Sequence, residues 1–392
     1  MTSRLLALAL LLPTPALACG GFFCDATFDP VVQTAERVLF RVNPDGTVTS
    51  VIEVQYEGEP TNFAWVLPLP EAIDPQTVGT ASAGLFDALE EWTAPRFVTA
   101  DAMGDAAGVA EMSAGCGWGP RWGGVGVDDS MGMRDFSGVE VVGASVVGPY
   151  ALEVITAEEP GALQSWLAFN GYPLPGAAQQ PIANYVSAGM AFLGVKLAPT
   201  VPAGPIDALE ITFAADAPSL PLMLTSVAAA EDMDVTVYVL GDERYGTTGY
   251  AEHTFDWSRV SWVGSGRTDY EDLLPAEIDA VGGRGFVTEF AGPVETLDLP
   301  ARPAWREDAV PGVTAAEGAA AELLRSGRYL TRVRTMISPD EMTFDPIWRP
   351  TPERGDVSSV HAIGPNTGAT AAFPVWALLL AGMVGVVGRR RR

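Results

Sequence analysis

"AERVLFRVNPDGTVTSVIEVQY", residues 35–56, holds two alternating apolar runs on either side of a tight turn. Alternation with period two is the mark of a strand with one buried face. Between the runs lies Asn43-Pro44-Asp45-Gly46. Pro44 pre-sets φ for a turn and Gly46 permits positive φ. The spacing therefore predicts two antiparallel strands, 35–42 and 47–56. "FAWVLPLP" (63–70) is apolar on both faces. It is expected as a buried, central third strand of the same antiparallel meander.

Working outward, "ASAGLFDALEEWT" (81–93) places Leu85, Phe86, Leu89 and Trp92 at helical spacing. Residues 103–133 hold nine glycines and read as one long irregular loop. "VEVVGASVV" (139–147) and "YALEVITA" (150–157) form a hairpin across Gly148-Pro149. Helices follow at 158–171, with acids at its start and Asn-Gly at its end, and at 179–189, ending in Gly189. Strand-like runs come next at 191–199, 209–215, 222–230 and 234–242, with a short fifth at 259–264. Two more helices are expected near 272–280 and 315–326, and a last strand at 329–337. Pro, Gly, Ser and Thr dominate 348–370, which reads as a linker. Strands outnumber helices and short turns join most neighbours. The expected fold of residues 19–347 is α+β: extensive antiparallel sheet with packed helices.

The two ends speak of compartment. Residues 1–18 have the form of a secretory signal: Arg4, an apolar run Leu5–Leu12, and a small-x-small site at Ala16-Leu17-Ala18. At the other end, residues 371–388 are uncharged and long enough for a transmembrane helix once its apolar flank is counted. Arg389–Arg392 follow and predict a cytoplasmic tail by the positive-inside rule. The expected topology is an extracytoplasmic body, periplasmic or at the cell surface, anchored by one C-terminal helix. Of 23 basic residues, five are Arg4 and the terminal arginines, which leaves 18 against 49 acids in the body. That charge disfavours nucleic acid and anionic lipid headgroups. It favours cations and basic partners, here an unknown envelope partner or ligand.

A set of motifs runs in order through this body: "CGGFFC" (19–24), "FAWVLPLP", "TAPRF" (93–97), "VGPYALEV" (147–154), "WLAFNGY" (166–172), "GMAFLGVKL" (189–197), "VTVYVLGD" (235–242), "GGRGFVTEFAGP" (282–293) and "YLTRVRT" (329–335). Together they resemble the bacterial domain-of-unknown-function 2330 family. The resemblance implies export and a Cys-flanked mature terminus; it implies no activity and no catalytic residues. The arginine-capped C-terminal helix resembles the short sorting tails of bacterial surface proteins.

Signals for chemistry are sparse. No Gly-x-Ser-x-Gly, His-Glu-x-x-His, phosphate loop or dinucleotide fingerprint occurs. The only two histidines are His253, beside aromatics, and His361, in the expected linker. "GGRGF" (282–286) reads as a plain turn. Glu90-Glu91, Glu158-Glu159 and Glu231-Asp232 read as solvated positions. Asp101, Asp105, Asp128 and Asp129 cluster in or beside the glycine-rich loop, where oxygen ligands could serve calcium, without EF-hand spacing. No other cofactor is expected. Cys19, Cys24 and Cys116 are all in the exported body and allow three pairings. A Cys24–Cys116 bridge would close a loop of roughly 90 residues, worth on the order of 4–5 kcal/mol in the entropy model. A Cys19–Cys24 bridge closes a tight local loop and leaves Cys116 a free thiol; this is the expected pairing. Three functions remain in view: a non-enzymatic envelope protein that binds or builds, an exported hydrolase with a carboxylate site near the glycine-rich loop, and a calcium-binding surface protein.

Overall fold

The structure is a computed structural model; it describes residues 32–57, 64–82, 84–99, 137–172, 175–197, 207–264, 266–300 and 314–364. The signal segment 1–18, the cysteines, the glycine-rich loop 103–133 with its aspartates, and the span 371–388 with its arginine tail lie outside them. Among the described residues no helix is long and apolar enough to cross a membrane.

The opening hairpin forms as its sequence dictates. β1 (Val32–Val42) pairs antiparallel with β2 (Thr47–Glu57). Gly46 takes φ +84°, the left-handed conformation that only glycine adopts without strain, and the Asp45 carboxylate accepts from the Thr47 amide. The meander stops there. The other edge of β1 pairs in parallel with β10 (Ala229–Gly241), which lies far along the chain. β10 pairs with β14 (Tyr329–Ile337), and β14 with β13 (Gly285–Pro293). With β4 (Gly79–Thr80), β9 (Leu209–Ala214) and β12 (Ala251–His253), these strands build one eight-stranded sheet.

β3 (Ala64–Leu69) is buried along its whole length, as its composition requires, yet it is neither third in a meander nor central. It sits at the edge of a second sheet of four strands, next to β8 (Ala191–Leu197), followed by β7 (Tyr150–Ala157) and β6 (Val139–Val147). Its burial comes from layers on both faces. Trp65, Leu67 and Leu69 enter the core between the two sheets, while Ala64 and Val66 face helices α2 (Pro160–Phe169) and α3 (Gln179–Ser187). The edge place suits Pro68, which has no N–H to give a second neighbour. The β6–β7 hairpin and α2 and α3 lie where the sequence puts them, and Gly171 and Gly189 end the two helices with positive φ.

The large sheet thus lies between two layers. One face meets the small sheet; the other is covered by α1 (Leu85–Thr93) and α6 (Ala315–Leu324), with α5 (Tyr270–Asp279) beside them. The α+β class holds, with both sheets predominantly antiparallel.

Three local expectations change. Residues 222–230 are not one strand: α4 (Leu222–Thr225) and a turn precede β10. A run of continuous apolar residues carries no period with which to tell helix from strand. Residues 259–264 contribute only a single bridge, Trp262 with Thr268. The expected linker carries β15 (Ile347–Pro350), paired with β11 (Tyr245–Thr248), and β16 (Val360–Ile363), paired in parallel with β5 (Arg96–Thr99). Trp348 is wholly buried against Phe40 and Phe286, so at least residues 347–363 belong to the folded body.

Candidate functional site

"YLTRVRT" puts Arg332 and Arg334 two residues apart on β14, hence on one face, and that face looks toward α1 and α5. Arg332 is fully buried. Its Nε donates to Glu289 Oε2 at 2.5 Å, its Nη2 to Glu90 Oε1 at 2.9 Å and its Nη1 to Thr93 Oγ1 at 3.3 Å. Glu289, also fully buried, accepts the Tyr270 hydroxyl on its other oxygen at 2.7 Å. A bulge between Thr288 and Phe290 leaves Glu289 on this face while Phe290 keeps its own contact with the helical layer. Arg334 is forked twice. Nε and Nη2 hold both oxygens of Asp234 at 2.9 and 2.7 Å; Nη1 and Nη2 hold both oxygens of Glu271 at 2.8 and 2.7 Å. Such paired planar contacts are the strong form of an ion pair.

Of these charges Glu90, Glu271 and Arg334 line a cleft of about 700 Å³, and Arg332 and Glu289 lie buried. Its walls come from the end of α1 (Glu90), from β5 (Phe97), from the turn before α5 (Trp262, Arg267) and from α5 itself (Tyr270, Glu271). Local sequence explains the placement. Leu85, Phe86 and Leu89 bury one side of α1, which turns Glu90 toward the sheet. Pro95 then follows the helix and its ring disfavours further helical backbone, so the chain extends into β5. Tyr270 opens α5, and its ring packs on Phe97 at 5.8 Å and on Phe255 at 5.1 Å. The indole nitrogen of Trp262 donates to the carbonyl of Gly364 at 3.1 Å, so the last described residues support this wall.

The electrostatics follow from these contacts. Burial works to raise the Glu90 carboxyl, but the charge and hydrogen bond of Arg332 prevail and hold it below the usual carboxylate range. Burial works to lower Arg332 and Arg334, and their carboxylate partners outweigh it, so both stay charged. Burial, then Glu289, drives the Tyr270 phenol well above its ordinary value; it remains a donor. Glu90 is thus held away from the range of a general acid.

The predicted residues fall elsewhere. Cys19, Cys24, Cys116, Asp101, Asp105, Asp128 and Asp129 lie outside the described residues. Among the described residues no three His, Cys, Asp or Glu gather as a metal site. His253 hydrogen-bonds Glu277 at 3.1 Å, away from the cleft lining. His361 is not in a linker; its ring stacks on Trp257 at 3.7 Å, and burial lowers it to about 4, which keeps it neutral at pH 7. Gly282 and Gly283 make the turn expected of "GGRGF", while its Gly285 and Phe286 already belong to β13. Glu90 is only partly the solvated helix position expected: its side chain is 43% exposed, and one of its oxygens binds the buried Arg332. The available signal was the pair of arginines at i, i+2 in an apolar strand, together with Glu289 inside "FVTEFAG": buried charges demand partners.

Residues 13–348 match a family described as an uncharacterized protein conserved in bacteria, DUF2330. Among curated proteins none matches the chain. One solved structure is similar, a mutated baculovirus P35 after caspase cleavage. It is 10% identical, with 56% of this chain and 77% of that chain covered and a TM-score of 0.29, too loose a likeness to carry an argument.

Proposed function

We propose, for a chain that belongs to the bacterial family DUF2330, that it is an exported envelope protein whose acidic body binds a ligand in the cleft beneath α1 and α5 and does not turn over a substrate. Export and a C-terminal membrane anchor are read from the leader at 1–18, the apolar stretch 371–388 and its four arginines. One observation carries the binding reading: the charged groups of the cleft are already bonded to one another, Arg332 and Arg334 each held by two carboxylates. An acid–base pair for hydrolysis needs one carboxyl held protonated beside one ionised. Glu90 is driven the other way by Arg332. A cleft with aromatic walls and fixed polar groups is the common form of a small-ligand site.

The test is a thermal-shift panel of envelope metabolites on the full chain, with Trp262→Ala as control. Stabilisation by at least one compound, lost in the variant, is the expected outcome. Turnover of an ester, peptide or glycoside substrate, abolished by Glu90→Gln or Glu271→Gln, would overturn the proposal.

A further inference from the structure

The chemistry of the cleft selects the ligand's charge, given the binding reading above. Two carboxylates line the cleft, Glu90 and Glu271, and three more are bonded to the arginines at and behind its wall, Asp234, Asp272 and Glu289. Three guanidiniums answer them, Arg267, Arg332 and Arg334. The lining itself balances, two carboxylates against Arg267 and Arg334; with the bonded shell of Asp234, Asp272, Glu289 and Arg332 the balance is negative by two, on a chain of net charge −26. An anionic ligand would look for free N–H donors. Arg334 gives four hydrogen bonds to two carboxylates, and its Nη1 also lies 3.8 Å from Glu289. Arg332 gives three and lies under the floor. Arg267 gives one hydrogen bond, to Asp272 at 3.1 Å, and stands at the exposed rim, where water screens its charge. A cationic ligand meets a negative field and three aromatic side chains, Phe97, Trp262 and Tyr270. Aromatic faces attract alkylammonium groups through their quadrupole, more strongly where low-dielectric walls reduce solvent screening.

We infer that this cleft takes an alkylammonium group, seated against Phe97 and Trp262 with Glu90 and Glu271 as its counter-charges. The ammonium can come from a free solute or from a lipid headgroup. Trp262 is tied to Gly364, and the expected membrane span begins at 371, at most roughly 25 Å of extended chain away.

The experiment uses the full chain in detergent and three probes of one shape: choline, its neutral isostere 3,3-dimethylbutanol, and the anion 3,3-dimethylbutyrate. Titration calorimetry should give choline at least tenfold tighter than the neutral probe, with the anion silent. Trp262→Ala should weaken choline fivefold or more with unfolding temperature unchanged, and Trp262→Phe should restore most of the affinity. Neutral or anionic probe binding as tightly as choline would overturn the ammonium assignment and leave a binding cleft standing. Choline binding unaffected by Trp262→Ala would overturn the location. Silence of all three probes would overturn the inference, while the metabolite panel above judges the binding reading separately. Competition of choline by phosphatidylethanolamine in mixed detergent micelles assigns the ammonium to a headgroup; no competition assigns it to a solute, and either result upholds the inference.

Discussion

Glu289→Gln probes the charged floor with almost no change of volume, so no cavity term enters. Glu289 and Arg332 have no exposed side-chain surface, and their 2.5 Å contact is the shortest of three that hold Arg332. The substitution leaves the guanidinium with Glu90 and Thr93 alone, and it sets an amide against two donors, Arg332 Nε and the Tyr270 hydroxyl. Breaking a buried pair by removing one partner costs about 3–5 kcal/mol; because Glu90 remains, the lower end, about 3 kcal/mol, is expected. For a body of this size each kcal/mol lowers the unfolding temperature by about 2 °C, so the drop should be about 6 °C. Equilibrium unfolding in guanidinium chloride at pH 7 measures the free energy directly. The double variant Glu289→Gln, Arg332→Met removes the stranded charge and should recover at least half of the loss. A single-variant loss below about 1 kcal/mol, or a double variant no more stable than the single, would refute the reasoning.

Glu36 is buried in the core between the sheets with Gln33 donating to it at 3.0 Å, and burial raises its carboxyl from 4.5 to about 7. A folded value above the unfolded one means the protonated form favours folding, so this contribution is full below about pH 4.5 and is lost as pH rises through 7. Glu36→Gln should therefore be near neutral at pH 4.5 and stabilising at pH 8 by up to about 3 kcal/mol; equal effects at both pH values in urea unfolding would exclude it. Trp348→Ala should cost about 3–5 kcal/mol, because a wholly buried indole leaves a cavity beside Phe40 and Phe286; a loss under 1 kcal/mol would return 348 to the linker. Truncation after Gly364 should release the body from membranes with its unfolding temperature intact, whereas truncation after Pro346 should lower it sharply because β15 and β16 go with it; continued membrane retention of the first fragment would refute the C-terminal anchor.

Much of the secondary structure was legible in the sequence because its causes are local. Alternation and an Asn-Pro-Asp-Gly turn specify β1 and β2, and glycines at positive φ end α2 and α3. The neighbours of those strands were not legible. β1 pairs in parallel with a strand nearly two hundred residues away, and no turn signal announces a crossover of that length. β13 was hidden because Glu289 interrupts its apolar run, and the reason a carboxylate can stand there is Arg332 on the adjacent strand. The linker reading of 348–370 failed for a related reason: Pro, Gly and Ser describe how a segment turns, while Trp348 and Ile363, its two buried apolar anchors, depend on surfaces supplied from elsewhere.

By itself the sequence determined the mixed strand and helix composition, the family resemblance and the acidic balance of the body, each a property of neighbouring residues or of a sum over the chain. Only the tertiary structure decided that Glu90, Phe97, Trp262, Tyr270, Glu271 and Arg334 share one cleft. Five elements supply them, and burying a charge on any one is tolerable only when folding brings its counter-charge from another.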